Sequence, residues 1–185
     1  GSGIRNSLVV FQFAISVFLI VSTLVVYQQL KYIQGKDLGY SKDQILILND
    51  VYTAGDKVTS LKDRIKQLGA VKNVTLSSFF PTPSSRSDST FSPENGNTSQ
   101  ENAVSMQTWG VDYDYISTLN LELVAGRDFD RIYGSDSTAI IVNEKAVRVM
   151  ELSPQEALGM QYTPDFDSEN PTYYTIIGVL RDFHI

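Results

Sequence analysis

The sequence predicts an α+β protein: an N-terminal transmembrane and stalk helix, followed by a mixed α/β extracytoplasmic domain with βαβ-type units. Three observations predict it. Leu8 to Tyr27, LVVFQFAISVFLIVSTLVVY, carries no charge and no helix breaker. Downstream, short apolar runs alternate with amphipathic stretches at helical spacing. Capping and turn residues separate them.

The apolar stretch sets the organisation. At 1.5 Å per residue a helix of this length spans roughly 30 Å, the thickness of a bilayer's hydrocarbon core. Gln12, Ser16 and Thr23 fall on one side of it, so one stripe is mildly polar and the rest is lipid-like. That stripe is the candidate helix-packing site. The apolar region is longer than a signal peptide's, and no small-x-small cleavage site follows, so an uncleaved anchor is expected. Tyr27, Leu30 and Ile33 keep the stripe going beyond the membrane, and Gly35 is a natural stop. The helix is expected from about Asn6 to Gln34, roughly 43 Å long. Gly1 to Gly3 read as a cloning scar, residues 4–34 as the membrane and stalk helix, and residues 35–185 as the domain.

The totals exclude several classes. The net charge is −6 and Cys is absent. An acidic chain lacks the clustered Lys and Arg that phosphate backbones need. Without Cys there is no disulfide framework, thiolate zinc site or Cys nucleophile. Arg5 precedes the span while Lys31, Lys36 and Lys42 follow it, so the positive-inside count taken alone opposes export of the domain.

Along the domain, Ile45 to Leu48 (ILIL) reads as a buried strand. Asp56 is the expected cap of a helix carrying Val58, Leu61, Ile65 and Leu68 on one face, closed by Gly69. Val71 to Ser78 has strand composition, which gives a first βαβ-type or split-βαβ unit. Residues 80–102 hold three prolines and many Ser and Thr. They read as a polar mobile loop. Strand character returns over Val104–Val111, and Asp112 is the expected cap of a short helix. Leu121–Ala125, Thr138–Val142, Gly159–Thr163 and Tyr173–Leu180 read as strands. Asn143 caps one helix, and Ser153-Pro154-Gln155-Glu156 is a capping box. The chain stops soon after a strand, so the domain is expected to be truncated at its C-terminal end.

Residue chemistry shows no catalytic constellation. His184 is the only histidine. Beside Asp182, at a strand end, it reads as a structural hydrogen-bonding residue. Asp165, Asp167 and Glu169 alternate like the start of a calcium loop, but Asn170 and Ile176 stand where Gly and Glu are needed. No Gly-rich phosphate loop is present. Asp112/Asp114 and Asp128/Asp130 read as capping and turn residues instead of acid–base pairs. No catalytic residue, metal or cofactor is expected.

Several blocks together resemble FtsX/MacB-type ABC transporter permeases, most closely the large Bacteroidetes versions. They are Gln12-Phe13 with Ser16, then Gln29, Tyr32 and Leu38-Gly39-Tyr40. Gly126-Arg127-Asp128-Phe129, Ile141-Val142-Asn143-Glu144, and Ile177-Gly178-Val179 with Asp182-Phe183-His184 are similar to blocks of the MacB-like periplasmic core domain. The resemblance implies that residues 35–185 are an incomplete core domain, with 80–102 a loop or part of an inserted small subdomain. It implies a bacterial inner-membrane protein with everything after residue 34 in the periplasm. The implied partners are a cognate cytoplasmic ATPase, a second permease copy or module, and a periplasmic partner or a lipoprotein or peptide substrate. The implied function is mechanotransmission or export driven by that ATPase, with no enzymatic residues of its own. The alternative is the extracytoplasmic ligand-binding domain of a membrane-anchored sensor. A membrane-anchored hydrolase is disfavoured by the single His and the lack of Cys.

Overall fold

A computed structural model describes residues 2–35, 39, 44–79, 88–94, 103–165 and 168–183. The chain divides into two compact units, Gly1–Asp37 and Leu38–Ile185.

The first unit is one helix, α1 (Ser2–Gly35). It begins a turn earlier than the sequence suggests. Its segment Gly3–Ile33 is long and apolar enough to cross a membrane, and its apolar stretch has no buried residue.

The second unit is built on a mixed sheet. Its strands are β1 (Asp88–Pro93), β2 (Val104–Gln107), β3 (Leu123–Gly126), β4 (Ala139–Asn143), β5 (Gln161–Thr163) and β6 (Tyr174–Leu180). Helices α2 (Val58–Lys66), α3 (Tyr115–Leu119), α4 (Glu144–Val149) and α5 (Pro154–Ala157) connect or flank them. The path through the sheet is β2-β1-β5-β6-β3, with β4 on β6 outside that path. β4 pairs with β6 in parallel, and β5 and β3 pair with it antiparallel at its beginning and its end. The run YTIIGVL suits this place, because a strand with neighbours along both edges and cover on both faces must be apolar throughout.

β6 changes phase halfway. Ile140 pairs with Ile176 but Ile141 pairs with Gly178, so Ile177 is a bulge. The extra residue reverses the alternation of faces. Ile176 and Val179, both fully buried, therefore lie in one cluster with Phe91, Val142, Val147, Ala157 and Tyr162. Leu180 falls in a second cluster with Tyr115, Ile116, Leu119 and Leu121. Gly126 faces the bulge with φ +75°, and a Cβ there would lie 2.2 Å from the Ile177 carbonyl oxygen. A Cβ on Gly178 would lie 2.5 Å from the Arg127 carbonyl oxygen. Only glycine fits either position.

The caps expected in this half are present. The Asn143 side chain accepts from Ala146 N at the start of α4. Ser153 and Glu156 form the capping box of α5, with Pro154 in its first turn.

The N-terminal part of the domain departs from expectation. Ile45–Leu48 forms no strand and is exposed, Leu46 to 84%. Val71–Ser78 contributes one isolated bridge, Ser77 to Val111. The initial βαβ-type unit is therefore not formed. The parallel β4–β6 pair, joined through α4, α5 and β5, is where that topology occurs. Asp56 does not cap α2. It lies in a 3-10 helix, Val51–Lys57, and the residue at the cap position is Lys57. Within 80–102, read as a loop, residues Asp88–Pro93 form β1, paired with β2 and β5. Pro93 is tolerated there because it ends the strand.

Gly126→Ala is expected to lower stability by about 2–3 kcal/mol, because the new methyl group meets backbone and the φ is positive. Urea unfolding followed by circular dichroism checks this. Gly134→Ala, with open space around it, serves as the neutral comparison.

Candidate functional site

Two features carry the functional reading: the polar stripe of α1 and the charged clusters of the domain. On α1, Gln12, Ser16 and Thr23 share one side of the helix. The Ser16 hydroxyl donates to the Gln12 carbonyl at 2.9 Å, and the Thr23 hydroxyl to the Leu19 carbonyl at 2.8 Å. Such back-bonding satisfies a hydroxyl inside its own helix. Of the three, Gln12 has the side chain with the largest hydrogen-bonding capacity.

In the domain, Lys62 of α2 is the principal charged group that sequence reasoning missed. Its ammonium lies 2.5 Å from Asp112 Oδ2 and 2.5 Å from Asp114 Oδ2, and the side chain is only 6% exposed. Asp112 also accepts from the Thr75 hydroxyl and from Leu76 N. It does not open α3 directly; Asp114 occupies the cap position and α3 starts at Tyr115. Instead Asp112 joins α2, the 73–78 segment and the approach to α3. The signal was present in the sequence, since Lys62 sits one residue from Leu61 on an amphipathic helix, but its partners lie about fifty residues away. Burial acts to lower the Lys62 pKa, and the bonds to Asp112 and Asp114 outweigh it, so the value is raised. The bond from Lys62 holds Asp114 below its ordinary range.

A second pair stabilises the β3–β4 connection. Arg127 makes a two-pronged contact with Asp136, at 2.6 Å and 2.9 Å, and the Asp136 side chain is fully buried. Asp136 also accepts from Asp130 N. The bond to Arg127 lowers the Asp136 pKa. The Arg127 guanidinium lies over the Tyr133 ring at 4.0 Å, a favourable cation–π placement. Asp128 and Asp130 play the turn roles anticipated, accepting from Phe129 N and Ile132 N. Burial raises the Asp128 pKa.

A third cluster lies beyond β6. Asp182 accepts from Lys145 N in the first turn of α4 at 2.7 Å and pairs with Arg148. Its own N–H donates to Glu144. Of the alternating acids of 165–169, Asp167 lies outside the described residues, as does His184. Among the described residues, no three His, Asp or Glu side chains come together as a metal would need. These clusters fix backbone geometry.

The pH dependence follows from these pairs. Asp114 and Asp136 have lowered pKa values, so their stabilisation is fully present above the ordinary carboxylate value of 3.8. It is lost as pH falls further, through their folded values. The Lys62 contribution is present below 10.5 and is lost as pH rises through its raised value. Lys62→Met should cost about 3 kcal/mol at neutral pH, because it leaves two carboxylates together without their cation. The deficit should shrink as pH falls through the carboxylate range, because the variant lacks the Lys62 bond that holds Asp114 ionised below 3.8. Denaturant midpoints across pH check both.

No family model matches the chain, and no curated relative matches it. Among solved structures it is similar to the periplasmic region of MacB from Actinobacillus actinomycetemcomitans, with 17% identity and a TM-score of 0.45 over 67% of this chain and 50% of that one. It is similar to the extracellular domain of the noncanonic ABC-type transporter YknZ from Gram-positive bacteria, with 20% identity and a TM-score of 0.43 over 64% and 54%. It is also similar to a domain assigned to a permease from Porphyromonas gingivalis, with 21% identity and a TM-score of 0.41 over 53% and 40%. The chain thus spans about half the length of the solved domains it matches, 40% to 54%.

Proposed function

We propose that this chain is part of the permease of an ABC transporter in a bacterial inner membrane, with α1 in the bilayer and residues 35–185 on the periplasmic side. The observation that carries the reading is α1 itself. Leu8–Tyr27, within the segment Gly3–Ile33, is uncharged and predominantly apolar, none of its residues is buried in the structure, and an α/β domain follows in sequence. A soluble protein does not leave that much apolar helix surface in water. The ordered blocks from Gln12 to Phe183 support the permease class over other anchored proteins.

In this reading the chain is not an enzyme. A cytoplasmic ATPase hydrolyses ATP, the membrane helices carry the movement, and the periplasmic domain moves a lipoprotein or peptide or signals to a periplasmic partner. A helix suits that task because each backbone hydrogen bond is internal, so it stays stiff in lipid. The Gln12, Ser16 and Thr23 stripe packs against other helices of this or a second permease module. Gln12 contributes most, because Ser16 and Thr23 already donate within α1.

The test is co-reconstitution of the tagged permease with candidate ABC-type ATPase subunits of its source organism. ATP hydrolysis that rises only when both are present supports the reading. Stable association with a histidine kinase, and none with an ATPase, would replace it with the sensor reading. Within the reconstituted complex, Leu at positions 12, 16 and 23 is expected to uncouple hydrolysis from transport while the domain's melting transition stays put. Unchanged transport would remove the stripe from the mechanism.

A further inference from the structure

Four stretches of chain far apart in sequence meet just beyond β6. Phe183 stands edge-on to Trp109, with ring centroids 6.4 Å apart and planes at 89°. Trp109 packs on Phe79 at 6.5 Å. Gly39 lies directly against Phe183: a Cβ added there would be 3.0 Å from the Phe183 Cβ and 3.1 Å from the Asp182 carbonyl oxygen. Gly39 also has φ +76°. Both the tight space and the backbone conformation favour glycine. Gly39 follows α1 closely in the chain, and α1 ends at Gly35.

The neighbours of Phe183 distinguish this contact from ordinary aromatic packing. Asp182 holds α4 at both ends, accepting from Lys145 N in its first turn and pairing with Arg148 in its last. Arg181 pairs with Glu122 at 2.6 Å, next to β3. Residues 181–183 are therefore tied at three successive positions to three different parts of the domain. They continue β6, whose Ile176 and Val179 form the centre of the core.

We propose that Gly39 against Phe183 is the joint through which displacement of the chain leaving α1 enters the sheet. A push at Gly39 bears on Phe183, moves the end of β6, and reaches α4 through the Asp182 clamp. Glycine makes the joint close and stiff, because no side chain stands between the two backbones. The inference rests on the reading that α1 moves in the working protein; the contact and its transmission to α4 are measurable without any ATPase.

Trp109 is the single tryptophan of the chain, so its emission reads the joint directly. In the full chain in detergent, Gly39→Val is expected to shift Trp109 emission to the red and increase its quenching by acrylamide. Hydrogen exchange should accelerate at the amides of Lys145 and Asp182, both bonded through the clamp. The amides of Val142 and Ile176 should be unaffected. Gly55→Val is the control: Gly55 also has a positive φ, +52°, but nothing lies within 4 Å of its Cβ position. It should leave Trp109 and the clamp unchanged.

A Trp109 shift without faster exchange at Lys145 would overturn transmission to α4. No response at either place, or the same response to Gly55→Val, would overturn the joint. The absence of Cys gives a second measurement that does not need Gly39→Val to fold. The pair Gly39→Cys with Phe183→Cys should close a disulfide on mild oxidation, since the Cβ positions need open only slightly to reach the usual separation of about 3.5–4.5 Å. Failure to close it in the folded chain would remove the contact. Neither result depends on ATPase association, so failure of the joint and failure of the permease reading are separate outcomes.

Discussion

The close approach of Gly126 and Arg127 to the bulge at Ile177–Gly178 is the constraint on which the domain depends. The Arg127 amide donates to the Ile177 carbonyl at 2.9 Å, across positions where two glycines leave no room for a Cβ. That contact fixes β3 against the end of β6 and permits the bulge. The bulge in turn brings Val179 to the same face as Ile176, in one cluster, while Leu180 on the opposite face joins the other. Hydrophobic burial supplies the driving force, while the backbone geometry at 126–127 and 177–178 decides which side chains receive it.

Charged pairs do the remaining positioning, and each joins an end of regular structure to something distant. Lys62 fastens α2 to the approach to α3, Arg127 and Asp136 close the β3–β4 connection, and Asp182 fastens the end of β6 to α4. Such pairs are weak sources of net stability but costly to break one-sidedly. They hold register where apolar contact is thin. The contrast is clearest at α2, where Leu61, and Leu68 just after the helix, remain exposed while Lys62 is buried.

The C-terminal half of the domain was legible in the sequence because its signals are local. Asn143, the Ser153–Glu156 box and the runs at 139–143 and 174–180 each act within a few residues, so spacing alone identifies them. The N-terminal part was not. ILIL has strand composition, but a strand exists only through its partner, and residues 45–48 have none among the described residues. β1 was hidden for the opposite reason: its Ser, Thr and Pro suggest a loop, and pairing with β2 and β5 makes it a strand. Asp112 was correctly seen as structural but given too small a role, because its bonds to Lys62 and Thr75 cross long stretches of sequence. The stripe on α1 could be read from the helical repeat; that two of its hydroxyls are already satisfied within the helix could not.

The internal bonds of Ser16 and Thr23 have a mechanical consequence. A helix in hydrocarbon resists turning about its own axis only where one face differs energetically from the others. With both hydroxyls donating to backbone carbonyls, Gln12 is left as the strongest such difference between Leu8 and Tyr27. A rod of this kind has little azimuthal preference of its own. It is suited to carry thrust along its length and poorly suited to carry torque, unless a neighbour grips it near Gln12.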